Sequence, residues 1–571
     1  MDEAGLEAFA SFSSPRWHRG QLMGFSGIDG PTDYETGLVA RTKSDPAGLE
    51  IVLPGSALVR FAAEPAGEVI FSNDFFAFGR TARQVTRGCL LDAHHLLIEG
   101  PAVVTHADEK LRHVCKDGRL LVGAAARFDP ALIGASLNAA WRARSRWILG
   151  QPILARSSGP ARRTVFRALS VMKGQLCAAE GAVHHRWTTP DRWPHKDMWL
   201  WDSVFHAIGW RHVDPRLARE ALEAVLEFQK ADGFIPHQMS PTRRPSEYTE
   251  PPILAYGVAL VDEMLGDDAW LRRVYPKLGA YIGWDLANRD KDGDGLAEWL
   301  VEGNPASRSG ESGMDNSPRF DFHYPEPLAA VDFNSYLALD CETMAGFARR
   351  LGYEDDEVLW TERRARLCRL IERHLWSETD GIYCDYCPSD DARSPVLASA
   401  GFFPLICGAA SSERAALLGR HLRDPTMFAT EFPVPSIAVR DRAHYSKDMW
   451  RGPTWVNVNW LIARGLERYA RHCEGFAALA RSLDEATIVH VEGMTESYGT
   501  FFEYFDDRGE VPPPRLLRKG VCAPDNPFRQ VIHDYGWTAT LYLDLVCRRL
   551  SVIAEGGITE SVSWRDRRPL S

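Results

Sequence analysis

The sequence predicts a mainly helical chain. An antiparallel β-sandwich is expected over residues 1–128, a linker helix over 129–158, an (α/α)6 barrel over 159–555 and a tail over 556–571. Three observations carry this reading. The first part is built of short alternating apolar runs cut by Gly, Pro, Asn and Asp. From about residue 160 the apolar residues recur at helical spacing almost throughout. The connections between those helices then alternate between short and long, as in an up-and-down helical array.

In the first region, Leu49–Leu53, Ala57–Phe61, Glu68–Phe71 and Leu96–Glu99 read as strands. Asp117-Gly118 between His113-Val-Cys and Leu120-Leu-Val is a hairpin signal. No acid, base or nucleophile cluster gathers here, which suits a supporting or substrate-shaping role. The stretch from Ala131 to Trp141 reads as helical and ends near Gly150.

Twelve helices are then expected, starting near residues 161, 199, 215, 252, 268, 331, 354, 402, 411, 454, 474 and 532. The long connections are 181–198, 231–251, 289–330, 377–401, 424–453 and 494–531. Alternate connections fall on the same end of an antiparallel array, so the long ones share a rim, and the site is expected there.

Composition narrows the function. A net charge of −11 argues against a general nucleic-acid binder, and no uninterrupted apolar run is long enough for a membrane span. The segment Met1–Glu7 is acidic without an apolar core, so no secretory leader is expected, and the scattered cysteines suit a reduced cytoplasmic protein. Cys384-Asp-Tyr-Cys387 has no second CxxC or His pair beside it, so it reads as structural thiols. The 18 tryptophans hint at stacking surfaces for sugars.

The rim loops carry groups that suit a polyhydroxylated ligand: Trp199, Trp201 and Asp202; His237 and Gln238; Asn316; Arg451 and Trp455; and Trp537. Indole faces stack on sugar rings, and carboxylates, amides and guanidinium groups bond neighbouring hydroxyls. The loop Glu311-Ser-Gly-Met-Asp-Asn-Ser-Pro-Arg-Phe-Asp321 packs three carboxylates among Gly and Pro. A second carboxylate loop, Glu503-Tyr-Phe-Asp506, lies far downstream.

These loops, with Asp290–Gly295 and Trp450-Arg-Gly-Pro-Thr-Trp455, resemble glycoside hydrolase family 63 over about residues 160–555. That group includes bacterial α-glucosidases and mannosylglycerate and glucosylglycerate hydrolases, and trehalases of family 37 share a similar plan. The resemblance implies an inverting, exo-acting α-glycosidase, α-glucosidase-like, acting on a small saccharide or glycoside. In it Asp315 is the general acid and Glu503 the general base. Hydrolysis with inversion needs one protonated and one ionised carboxyl with room for water between them. Glu311, Asp321, Glu496 and Asp506 stay open as rivals. The approach Glu302–Gly310 departs from the short approach of mannosylglycerate hydrolases, which argues against a glycerate-specific substrate.

No cofactor is expected for the chemistry. Asp290, Asp292 and Asp294 resemble the start of a calcium loop, but Val301 replaces the acid an EF-hand requires at its twelfth position. Any Ca²⁺ site there needs distant ligands, as the family resemblance allows. A sugar phosphorylase and a non-catalytic carbohydrate-binding protein on the same barrel are the alternatives.

Overall fold

The computed structural model describes residues 17–62, 65, 68–79, 85–523 and 526–554. The expected tail, 556–571, and the N-terminal segment Met1–Glu7 lie outside them.

Eleven strands form two antiparallel sheets. They are β1 Leu22–Gly24, β2 Val39–Ser44, β3 Ala47–Leu53, β4 Ala57–Phe61, β5 Glu68–Phe71, β6 Phe75–Gly79, β7 Thr86–Leu90, β8 His95–Glu99, β9 Ala102–Ala107, β10 Leu111–Lys116 and β11 Arg119–Ala124. One sheet has the order β1-β2-β3-β4-β9 and the other β10-β11-β8-β7-β6-β5. The β10–β11 turn has Asp117 and Gly118 both at positive φ, and Lys116 pairs with Arg119, the geometry an Asp-Gly hairpin selects.

Strand side chains alternate between faces, and the six-stranded sheet is apolar on both. Phe76, Phe78, Leu96, Ile98 and Leu120 share a core with Leu49, Ile51 and Val59 of the other sheet, around Trp17. The alternate residues Phe75, Ala77, Leu97 and Leu121 join the core of the helical region instead. Trp141 of the linker helix Leu137–Leu149 packs on Phe75, with ring centroids 4.4 Å apart. That helix begins after Ser136, which caps it by accepting from Ala139 N; the Pro130–Gly134 stretch before it is a 3-10 turn.

The twelve expected helices are all present. They are α1 Gly159–Gln175, α2 Leu200–Trp210, α3 Pro215–Glu227, α4 Leu254–Leu265, α5 Asp268–Asn288, α6 Val331–Leu351, α7 Glu354–His374, α8 Pro404–Cys407, α9 Ser412–His421, α10 Val456–Tyr469, α11 Phe476–Tyr498 and α12 Gly536–Ala554. The last starts later than expected because Asp534 takes a positive φ, with its carboxylate engaged by Arg167, Leu22 N and Thr500.

Helices α2, α4, α6, α8, α10 and α12 touch in a closed cycle, each on the next and the last on the first. Every residue of α2 is buried, whereas α7 buries only Trp360, Leu367 and Ile371. A helix apolar all round belongs inside, and one with a single apolar stripe belongs outside. Charged and polar Glu354–His374 accordingly lies against α6 and α8.

The third long connection, 289–330, is pinned by a buried ion cluster. Arg319 donates to Asp385 at 2.8 Å and to both oxygens of Asp332 at 2.7 and 2.8 Å, with all three side chains buried. Asp385 also accepts from Val331 N at 3.0 Å. The cluster ties this loop to the start of α6 and to the loop after α7. Removing one member of a buried charge set leaves the others uncompensated. Arg319→Ala is expected to lower unfolding free energy by about 3–5 kcal/mol. Chemical denaturation of the variant checks this, and an unchanged midpoint would show the clamp to be idle.

Candidate active site

A cavity of about 210 Å³ opens among the long loops and takes lining residues from five of the six. The loop before α2 brings Trp199 and the first turn of α2 Trp201, the next loop His237 and Gln238, and the third Asp315. Trp450 and Trp455 come from the loop before α10, and Glu503, Arg518, Lys519 and Tyr535 from the loop before α12. The loop 375–403 contributes no wall.

Asp315 and Glu503 line the same cavity and are held by consecutive residues. Lys519 Nζ lies 2.6 Å from Asp315 Oδ2, and Arg518 bonds Glu503 Oε2. Glu503 is buried and its carboxyl is raised by that burial, while Arg518 and then His195 act to keep it charged. Asp315 is the more open of the two, with its side chain 23% exposed.

The four rival carboxylates are engaged elsewhere, and none lines the cavity. Glu311 is buried and accepts from Arg289, Leu300 N and Thr249 N. Asp321 pairs with Arg451 and Arg308, Glu496 with Arg163, and Asp506 with Lys447 and the backbone of Glu510 and Val511.

Of the expected ligand-facing residues, Trp201, Asp202, His237, Gln238, Trp455 and Trp537 line the cavity. Asn316 and Arg451 do not. Asn316 is turned back and accepts from Trp450 N at 3.0 Å, bracing the loop before α10. Arg451 is drawn outward at 2.5 Å to Asp321, an exposed ion pair joining two rim loops.

Trp455 stacks on Trp450 with centroids 3.7 Å apart and planes within 3°. The indole N–H groups of Trp199, Trp450 and Trp537 are buried without a hydrogen-bond partner among the described residues, and all three rings face the cavity. Unspent buried donors in a roomy polar cavity fit a hydroxyl-rich guest. Gln238 pairs with Trp199 in a two-residue ladder and donates to Asp197 at 2.6 Å. His237 stacks on Tyr248 at 4.2 Å, and burial pulls it down to about 4, so it is neutral near pH 7.

Tyr535 lines the wall beside Trp537, and Glu250, His195, Tyr248, Arg518 and Lys519 line it without having been singled out in the sequence. Glu250 accepts from Trp201 N at 2.9 Å, and Asp202 accepts from Tyr535 Oη at 3.2 Å. Burial raises both carboxyls well above the ordinary range, and the charge of Asp202 adds to the rise in Glu250. None of these residues sits in a motif. Their shared position follows only from the meeting of distant loops.

Residues 194–538 match the family model described as the mannosylglycerate hydrolase MGH1-like glycoside hydrolase domain. Mannosylglycerate hydrolase MGH1 of Selaginella moellendorffii is 27% identical over 402 residues, covering 56% of this chain and 77% of that protein. The crystal structure of the GH63 mannosylglycerate hydrolase from Thermus thermophilus in complex with glucose superposes with a TM-score of 0.52 at 26% identity, over 66% of this chain and 98% of that one. A bacterial glucoamylase complexed with acarbose shares the fold alone, at 9% identity and a TM-score of 0.57, over 94% of this chain and 96% of that one.

Gly313 has φ +68, and a Cβ built there would come within 2.4 Å of Trp201 Cζ2. The motif glycine is therefore required both by its backbone and by the indole against it. Gly313→Ala is expected to cost about 1–3 kcal/mol in backbone strain alone and to displace Trp201. Thermal unfolding and the near-ultraviolet circular dichroism of the tryptophans read this out. Retention of both would refute the close-approach account.

Proposed function

The chain belongs to the mannosylglycerate hydrolase MGH1-like family of glycoside hydrolases, and we propose that it is an inverting, exo-acting α-glycosidase of a small saccharide or glycoside. In this reading the closed helical cycle is an (α/α)6 barrel over residues 159–555, and residues 1–128 are a β-sandwich that backs it. The observation that carries the assignment is the sorting of carboxylates: in the two motif loops, Asp315 and Glu503 face the cavity while Glu311, Asp321, Glu496 and Asp506 are engaged outside it.

Glu503 takes a proton from a water as that water attacks the anomeric carbon, and Asp315 gives a proton to the departing glycosidic oxygen. Lys519 Nζ pairs with Asp315 Oδ2 at the cavity wall, on the side from which the departing oxygen would be protonated. Asp202 and Glu250, held protonated by burial, present O–H donors as well as acceptors to sugar hydroxyls. A cavity of about 210 Å³ suits one sugar ring rather than a run of polymer, which supports exo action. Arg518 and Lys519 are both engaged by carboxylates, which disfavours a phosphate nucleophile and hence a phosphorylase.

The relatives named above are mannosylglycerate hydrolases. Glycosides of glycerate therefore stand beside α-linked disaccharides as candidate substrates, and the α-glucosidase-like reading rests on the motifs alone.

We also propose that the loop 290–298 holds a calcium ion. Carboxylate oxygens of Asp290, Asp292, Asp294 and Glu298 all lie within 4.8 Å of one another. Glu298 is buried with its Oε1 unpartnered among the described residues, as is Oδ1 of Asp290, so the donor set is all oxygen and partly unsatisfied. Hard oxygen ligands of this kind suit Ca²⁺, and Glu298, at the ninth position of the same loop, supplies the fourth carboxylate.

Two outcomes are expected for the chemistry. Proton NMR of an α-linked substrate should show the β-anomer released first, and initial release of the α-anomer would overturn the inverting reading. Asp315→Asn should spare an activated α-glycosyl fluoride far more than a sugar–sugar bond, whereas Glu503→Gln should slow both by about 10²–10⁴. For the cation, added Ca²⁺ should raise the melting temperature in a concentration-dependent way. Glu298→Gln should remove that response, and its persistence in the variant would place the ion elsewhere.

A further inference from the structure

A second group of metal-ligand side chains lies outside the cavity and differs in chemistry from the calcium loop. His323, Glu326 and Cys387 each offer one ligand atom, and the three atoms lie within 4.8 Å of one another. Asp390 Oδ2 lies 3.2 Å from Nε2 of His323. Cys387 is buried, while His323 is part-exposed and Glu326 and Asp390 are exposed, so the group opens to solvent on one side.

The backbone that carries these ligands is firmly held. Ala329 and Tyr386, close in sequence to Glu326 and Cys387, exchange backbone hydrogen bonds at 2.9 and 3.1 Å. The Arg319 clamp joins the same two segments at Asp385. Tyr386–Cys387 pairs with Ala392–Arg393 in a short hairpin, and Cys387 sits on its first strand. The side chains are therefore brought together by fixed chain segments rather than by a single exposed loop.

One imidazole, one thiol and one carboxylate form the mixed N, S and O set that zinc takes up, with three protein ligands leaving a fourth position for water. A carboxylate beside a ligating imidazole is also what orients such a ring. We propose that His323, Glu326 and Cys387 form a zinc site that staples the end of the acid-bearing loop to the hairpin at 386–393. Binding exchanges the thiol proton for the metal, so one proton passes to solvent for the Cys387 ligand. The role is structural, because none of the three side chains lines the cavity.

The test uses the full-length protein, stripped with a chelator and titrated with Co²⁺ as the spectroscopic stand-in for zinc. One equivalent should produce a thiolate-to-cobalt charge-transfer band in the near ultraviolet, bleached by added Zn²⁺. The calcium loop holds only oxygen donors and cannot produce such a band. Cys387→Ser should abolish it and Cys384→Ser should leave it intact. Asp390→Asn should weaken Co²⁺ binding by about 10–100-fold, the effect usual for a group orienting a ligand. Glu326→Gln should also weaken it, and because Glu326 and Asp390 are exposed, these two variants carry the test if Cys387→Ser fails to fold. Absence of the band in the unaltered protein, its survival in Cys387→Ser, or unchanged affinity in both exposed variants would overturn the proposal.

Discussion

The cavity end of this molecule depends on a guanidinium group placed between two buried carboxylates. Arg319 spans Asp332 at the start of α6 and Asp385 in the following long loop, and no member of the set is exposed. Burying three charges is costly unless every donor and acceptor is matched, and here the planar guanidinium meets two carboxylates at once. The consequence reaches the chemistry through only a few residues. Arg319 lies four positions after Asp315, so fixing the one restricts where the other can point. A second arginine, Arg289, does the same from behind by taking Glu311, which in turn accepts from Leu300 N and Thr249 N.

Around the cavity the electrostatics are divided by depth. Asp202 and Glu250 are buried beside other carboxyls rather than cations and are pushed toward the neutral form. Asp315 and Glu503 each have a cation within bonding distance, Lys519 and Arg518 respectively. Four carboxyls in one small space thus sit in two kinds of environment, two beside a cation and two beside other carboxyls. The cations come from adjacent positions, Arg518 and Lys519, so one short segment before α12 meets both carboxylates.

The sheet region is bonded directly to the segment that carries Glu503. Leu22 N donates to Asp534 at 2.7 Å, Gln21 donates to the carbonyl of Gly499 at 2.9 Å, and Arg167 reaches Asp534 at 2.5 Å. Tyr34 bonds Asp197, which accepts in turn from the cavity residue Gln238. Lys173 joins α1 to Asp29 and Asp74 at 2.7 and 2.5 Å. The sheets therefore stiffen the loops on either side of Glu503 without supplying a wall of the cavity, in keeping with the lack of any catalytic cluster in their sequence.

The sequence by itself determined the order of the sheet region and the helical region and pointed to two carboxylate-bearing loops. Period-two runs, helical spacing from residue 160 and the alternation of short and long connections are local properties, so they could be read without coordinates. Asp315 and Glu503 were named by the resemblance of their loops to glycoside hydrolase family 63. Choosing among neighbours was a different matter. Glu311, Asp321, Glu496 and Asp506 look alike on paper, and only the arginines and lysine that meet them from distant segments remove them from the cavity. Asn316 and Arg451 were expected at the ligand and are braces instead, since a side chain's direction is set by its nearest partner in space. Glu250, His195, Arg518 and Lys519 carried no signal, and His323 joins its cluster across a turn that spacing rules do not cover. Long-range pairing decided these, because a charge is placed by the opposite charge it can reach after folding, and chain distance says nothing about that.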